Sequence, residues 1–182
     1  MSSNPNKNIV IVGGGTAGWM AANILMHPVK HLPSTVDLIE SPNVNPVGVG
    51  EGSTPALKQF FDLLNIREAD WMPACNATYK TGIAFKNWSI NKGFHRYFHP
   101  FPTAVDSHTL PSFIYNAQLR AAGIDVQAHP NDYFLATKLA EQHSSPLPSD
   151  NFPFAVDYAY HFDSNLLGLY LKKIAIKQGV KY

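Results

Sequence analysis

An α/β fold that opens on a parallel β-α-β unit is predicted by three observations close to the N-terminus. Residues 8–12 form an apolar, strand-like run that ends in Val10-Ile-Val12. It leads directly into Gly13-Gly-Gly-Thr-Ala-Gly18, a Gly-x-Gly-x-x-Gly loop that opens a helix-forming segment carrying Ala17, Met20, Ala21, Ile24 and Leu25. A second strand-like run, Thr35-Val-Asp-Leu-Ile39, follows and ends on Glu40. Strand, glycine loop, helix, strand and terminal acid in this order are the context in which such a loop binds a dinucleotide. Gly13 permits a sharp turn off the strand, Gly15 lets the backbone approach a pyrophosphate, and Gly18 allows close helix-strand packing. The helix beginning near Thr16 presents unpaired N–H groups to phosphates, with Ala17 in its first turn. Glu40 stands where a carboxylate accepts hydrogen bonds from a ribose.

Composition narrows the class. With 182 residues, 45% of them hydrophobic, the chain can bury a core of its own. A formal net charge of +1 gives no reason to expect nucleic acid or an anionic membrane as partner. The first residues are polar, and the apolar run behind them is too short for a signal peptide or a membrane span, so a cytoplasmic location is expected. Cys75 is the single cysteine, which excludes an internal disulfide and a cysteine-based zinc site, and it reads as a small buried hydrophobe. Of the eight histidines, His95, His99, His108, His129, His143 and His161 show no ligand-type spacing on one helix face, no His-Glu-x-x-His occurs, and no metal is expected.

The remaining elements follow in order. Val47-Gly-Val-Gly-Glu-Gly-Ser-Thr-Pro55 is glycine-rich and leads into a helix with Leu57, Phe60, Phe61 and Leu64 on one face, Thr54 as N-cap, Pro55 at the first position and Asn65 as its stop. A short helix over 68–72 is expected to end at Pro73. Residues 78–90 read as one strand with a bulge at Gly82, and 94–101 as an irregular aromatic stretch. Helices are expected over 110–122, stopped by Gly123, and over 131–142, capped by Asn131; 144–153 is a Pro/Ser-rich connector. The last helix spans 164–178, between a cap at Asp163 and a stop at Gly179, with Leu166, Leu167, Tyr170, Leu171 and Ile174 on one face. Gly179-Val-Lys-Tyr182 then enters what reads as another parallel strand, and the chain is expected to be the N-terminal piece of a longer enzyme.

Four segments together resemble the flavin-dependent halogenases of the tryptophan halogenase family. They are Gly13-Gly-Gly-Thr-Ala-Gly-Trp-Met-Ala-Ala22, in which Trp19 and Met20 are more specific than the glycines; Gly48-Val-Gly-Glu51; Trp71-Met-Pro-Ala-Cys-Asn-Ala-Thr-Tyr-Lys80 with Phe85-Lys-Asn-Trp88; and Tyr158-Ala-Tyr-His-Phe-Asp163. The resemblance implies an FAD/NAD(P)-binding, Rossmann-like fold of the FAD monooxygenase type, present here in truncated form. It implies FAD, reduced by a separate flavin reductase, as cofactor, halide as co-substrate, and a small electron-rich aromatic such as an indole as substrate. Lys80 matches the family's catalytic lysine, which would hold the oxidised halogen beside the reacting carbon. Val47, Gly50 and Glu51 would belong to a strap along the flavin, and His99 and Phe101 would flank the flat substrate. The family's Trp-x-Trp-x-Ile-Pro signature does not occur in these 182 residues.

From the residues alone each position also has a plainer reading. Lys80 could be a solvated lysine, Glu51 could favour the dipole of the helix after it, and His99 and Phe101 could be ordinary aromatic packing. Two other functions therefore stand beside the halogenase: an FAD-dependent monooxygenase or oxidoreductase in which Lys80 is structural, and a non-catalytic nucleotide-binding module.

Overall fold

A computed structural model describes residues 7–28, 34–43, 48, 50–90, 92 and 95–182. The regular elements in chain order are β1 (Lys7–Val12), α1 (Thr16–Met26), β2 (Ser34–Ile39), β3 (Glu51–Gly52), α2 (Ala56–Leu63), α3 (Glu68–Trp71), β4 (Thr78–Lys80), β5 (Gly82–Lys86), β6 (Arg96–Pro100), α4 (Leu110–Ala121), α5 (Leu135–Glu141), β7 (Ala159–Phe162) and α6 (Ser164–Lys177). The chain divides into two compact units. The first comprises Met1–Gly52, Lys58–Thr78 and His161–Tyr182; the second comprises Ser53–Leu57 and Tyr79–Tyr160.

In the first unit β1 and β2 pair in parallel from Lys7↔Ser34 to Val12↔Ile39. The register is pinned by Asn8, whose Oδ1 accepts from Thr35 Oγ1 at 2.8 Å and whose Nδ2 donates to Asp37 Oδ2 at 3.1 Å. The end of the chain adds to the other side of β2 through the parallel bridge Asp37↔Lys181. Leu38 N donates to Lys181 O at 2.7 Å and Lys181 N to Val36 O at 3.1 Å, so Gly179–Tyr182 enters the sheet as expected.

The core of this unit lies between sheet and helices. Val36 and Leu38 of β2 are buried, as are Trp19, Ala22 and Asn23 of α1 and Leu167, Leu171 and Ala175 of α6. In α1 the buried face therefore centres on Trp19, while Ala17 is exposed. Asn23 Nδ2 joins the two helices by donating to Trp19 O at 2.8 Å and Leu171 O at 3.0 Å. Phe61 stacks on the fully buried Trp71 with centroids 4.2 Å apart.

Helix ends follow local chemistry. Asp163 caps α6, its Oδ1 accepting from Asn165 N at 2.9 Å and Leu166 N at 3.0 Å, and Gly179 turns the chain out of the helix at φ +99. The expected face of α2 is buried, and Asn65 leaves that helix at φ +54. The helix α3 ends before Pro73 as expected, with Met72 as its C-cap. Pro73 then starts a 3-10 turn, Pro73–Cys75, because proline at a first helical position loses no hydrogen bond, and Asn76 in the left-handed region supplies the stop.

The second unit departs furthest from the sequence reading. Residues 78–90 contain two strands, β4 and β5, rather than one, and residues 96–100 of the aromatic stretch expected to be irregular form β6, Phe94 lying outside the described residues. Strands β5 and β6 pair antiparallel from Gly82↔Pro100 to Lys86↔Arg96. Gly82 marks a close approach: a Cβ there would lie 2.4 Å from His99 O and 2.5 Å from the Phe98 ring. The expected helix over 131–142 is replaced by a 3-10 turn, Pro130–Asp132, followed by α5, whose N-cap position is Phe134. Asn131 does not cap it; the backbone N–H of Asn131 is taken by His129 Nδ1 at 3.2 Å. The buried carboxylate of Asp106 ties the connections together, accepting from Thr103 N at 2.6 Å and Leu135 N at 2.9 Å. Among the described residues no helix is long and apolar enough to cross a membrane.

Candidate functional site

The glycine loop lines a cavity of about 1030 Å³ in the first unit, together with Glu40 from the end of β2 and Gly168 and Lys172 from α6. Gly13 takes φ +119, which a side chain would strain, and its N–H donates to Ile39 O at 2.9 Å, tying the loop to the end of β2. A Cβ at Gly18 would lie 1.9 Å from Gly13 O, so the third glycine is required where helix and strand backbones meet. Gly15 is the N-cap of α1 with φ −72 and no side-chain cap, and a Cβ built on it meets nothing within 4 Å. Open space over Gly15, an uncapped helix start and an acid-free first turn together suit a pyrophosphate. The residues present therefore fit a dinucleotide.

Around this cradle the side chains are tied down. Thr16 Oγ1 donates to Ser164 O at 3.2 Å, and Ser164 Oγ donates to Gly48 O at 2.7 Å. A Cβ at Gly48 would lie 2.6 Å from Glu51 Oε1, so the exposed Glu51 side chain returns over its own glycine stretch. Gly50 is exposed, and Val47 lies outside the described residues. Glu40 Oε1 accepts from Lys172 Nζ at 2.5 Å. That ammonium sits 3.7 Å from the centroid of the Tyr182 ring and 5.5 Å from that of Trp19. Partial burial lowers the Lys172 pKa, but the hydrogen bond to Glu40 and the contact with Tyr182 outweigh it and hold the group above its ordinary value. Lys172 escapes a motif search because it is one turn beyond Gly168 on a helix far from the loop in sequence; its only signal is that i, i+4 spacing.

A different constellation surrounds Lys80 in the second unit. Lys80 closes β4 with its side chain half-buried, and its Nζ donates to Ser53 O at 2.9 Å. The Phe101 ring centroid is 5.5 Å from that nitrogen. Ser53 is itself held by Tyr160: Ser53 N donates to Tyr160 O at 2.9 Å, and Tyr160 N to Ser53 Oγ at 3.1 Å. Burial pulls the Lys80 pKa below its ordinary value. Phe101 is buried, and Phe101 N donates to Thr81 O at 2.9 Å. The structure thus brings Phe101 to Lys80. His99 lies exposed on β6, where its Nδ1 shares a hydrogen bond of 3.1 Å with Tyr97 Oη. Ser53, which supplies the lysine's acceptor, was not singled out by the sequence.

Cys75 is fully buried, and burial, then the charge of Asp163, push its thiol up to about 11. It is a packing residue rather than a nucleophile.

Comparison with known proteins adds an independent line. A family model described as tryptophan halogenase matches residues 8–182. The chain is 35% identical to a tryptophan 6-halogenase from Streptomyces toxytricini over 98% of its own length and 37% of the relative's. It is also 35% identical to a tryptophan 7-halogenase from Lentzea aerocolonigenes, covering all of this chain and 36% of that protein. Among solved structures it superposes with TM-score 0.74 and 35% identity on a flavin-dependent halogenase from Xanthomonas campestris, covering 97% of this chain and 34% of that one. The chain thus spans a little over a third of the length of the curated relatives it matches.

Proposed function

The chain belongs to the tryptophan halogenase family, and from that premise we propose that the protein halogenates an electron-rich, tryptophan-like aromatic, with FAD in the glycine-loop cradle and Lys80 as the catalytic residue. Reduced FAD, supplied in the cytoplasm by a separate flavin reductase, provides with oxygen and halide the oxidising equivalent that the reaction consumes. The chain's own residues bind and orient. The open backbone at Gly13 and Gly15 and the start of α1 receive the pyrophosphate, and Glu40 meets the ribose. Gly50 and Glu51, with Val47, border the flavin, and Thr16 and Ala17 form the first turn under the phosphates. His99 and Phe101 flank the substrate.

The observation that carries the reading is the setting of Lys80. A lysine on a strand end, pulled toward neutrality by burial, anchored by one proton to the Ser53 carbonyl and set beside an aromatic ring, keeps two protons to donate. That is a group able to hold an oxidised halogen by hydrogen bond at a defined point. The test is halogenation by the full-length protein with FAD, a flavin reductase, oxygen, bromide and tryptophan, read by mass spectrometry. Lys80→Met is expected to lower product formation by about 100-fold or more, the range of a positioned proton donor, while FAD binding stays unchanged. Unchanged halogenation by this variant removes Lys80 from the reaction.

A further inference from the structure

We propose that Ser53 is the positioning residue for the Lys80 ammonium: its hydroxyl stands in for its own backbone carbonyl in the strand ladder and so frees that carbonyl to hold Lys80. The inference rests on the reading of Lys80 as the catalytic residue and deepens it.

The exchange shows in the register. β3 and β7 run antiparallel with Glu51↔Phe162 and Gly52↔His161, so the next pair in line is Ser53 with Tyr160. In a hydrogen-bonded antiparallel pair each N–H donates to the carbonyl of the residue opposite. Ser53 N keeps to that pattern and donates to Tyr160 O at 2.9 Å. The return bond does not, because Tyr160 N donates to Ser53 Oγ at 3.1 Å. The carbonyl that a regular ladder would consume instead accepts from Lys80 Nζ at 2.9 Å. A serine hydroxyl can take a backbone N–H in this way because its oxygen has two lone pairs to offer.

The donor opposite Ser53 is fixed. Tyr160 is fully buried, with its ring centroid 5.8 Å from that of Tyr158 and 6.2 Å from that of Tyr79, the residue before Lys80. A buried N–H must find its acceptor within the protein. Without the Ser53 hydroxyl, the acceptor that the ladder offers Tyr160 N is the Ser53 carbonyl, in competition with Lys80.

The consequence for Lys80 is its charge as well as its place. Burial pulls the amine toward neutrality, whereas a carbonyl that accepts from the ammonium favours the charged form. The Phe101 ring, 5.5 Å from the nitrogen, adds a weaker attraction of the same sign. Ser53 thus opposes burial and keeps Lys80 a proton donor.

The experiment titrates the Lys80 Cε resonance by NMR in the full-length protein carrying isotopically labelled lysine, the signal being assigned by its loss in Lys80→Met. Ser53→Ala is expected to lower the Lys80 midpoint by about one pH unit, roughly a tenfold change in the ratio of ammonium to amine, the weight of one hydrogen bond to a charged group. The alkaline limb of halogenation should move to lower pH with it. A loss of folded protein scales the rate at every pH and leaves the limb in place. Ser53→Thr keeps the hydroxyl and should restore both the midpoint and the limb. An unchanged midpoint in Ser53→Ala, or a Ser53→Thr protein that titrates like Ser53→Ala, overturns the role of the hydroxyl. If Lys80→Met halogenates as the wild type does, it is the catalytic reading of Lys80 that fails, while the titration still decides the role of Ser53.

Discussion

The two units reach their candidate sites by opposite routes. In the first, the cradle is a property of the backbone: a left-handed glycine at 13, an uncapped helix start at 15, and a glycine at 18 where strand and helix touch. In the second, the site is a property of pairing: Lys80 is placed by a hydrogen bond to Ser53, which Tyr160 holds in turn, and Phe101 arrives by way of a hairpin. A backbone site fails when a single methyl group is added. A paired site fails when a strand is displaced.

The sharpest way to break this contrast is to add that methyl group at the two ends of one loop. Gly18→Ala puts a Cβ 1.9 Å from a carbonyl oxygen and should destabilise the protein by about 3 kcal/mol, the upper range for overpacking, with FAD binding lost. Gly15→Ala adds the same atom to open space at an ordinary φ, so the thermal midpoint should hold or rise slightly while FAD affinity falls at least about tenfold, the methyl group standing where the phosphates approach. Equal losses of stability in the two variants would contradict the division into a packing glycine and a ligand glycine. In the second unit, Gly82→Ala should cost about 2 kcal/mol by forcing β5 away from His99 O and the Phe98 ring, and should lower halogenation without changing FAD affinity. Urea unfolding and flavin fluorescence separate the two effects.

A smaller effect comes from titration, where burial acts on both units with opposite consequences. The Cys75 thiol, raised from 9.0 to about 11, favours the folded state while protonated. That contribution is complete below pH 9.0 and is lost as pH rises toward about 11. Cys75→Ala should flatten this alkaline loss, and the native thiol should resist iodoacetamide at pH 8 until the chain is unfolded. Rapid alkylation of the folded protein would show that the thiol is accessible. Lys80, lowered by burial, is disfavoured as a cation, so activity that needs the ammonium should decline at a lower pH than for a free lysine.

The first unit was largely legible from the chain. The β-α-β order, the end of β2 before Glu40, the buried face of α2 and the Asp163 cap of α6 are where the residues say they should be, because each depends on neighbours within a few positions. The second was not. A run of aromatics at 94–101 gives no clean alternation, and only pairing with β5 makes part of it a strand. Asn131 has the chemistry of a cap, but the chain enters a 3-10 turn there and α5 starts later. Residues 78–90 contain two strands because Gly82 allows a close crossing with Phe98 and His99 that no local pattern announces.

By itself, then, the sequence determined the cradle: glycines placed by backbone sterics, a strand and helix on either side, and an acid at the end of the second strand. It also carried the family in short motifs, with Lys80 among them. Only the tertiary structure decided which groups those residues meet. Glu40 and Lys172 are 132 residues apart and Ser53 and Lys80 are 27 apart, and each pair forms a direct hydrogen bond. Steric rules act along the chain and can be read from it; charge pairing and strand pairing act through space, and depend on where folding brings the chain back to itself.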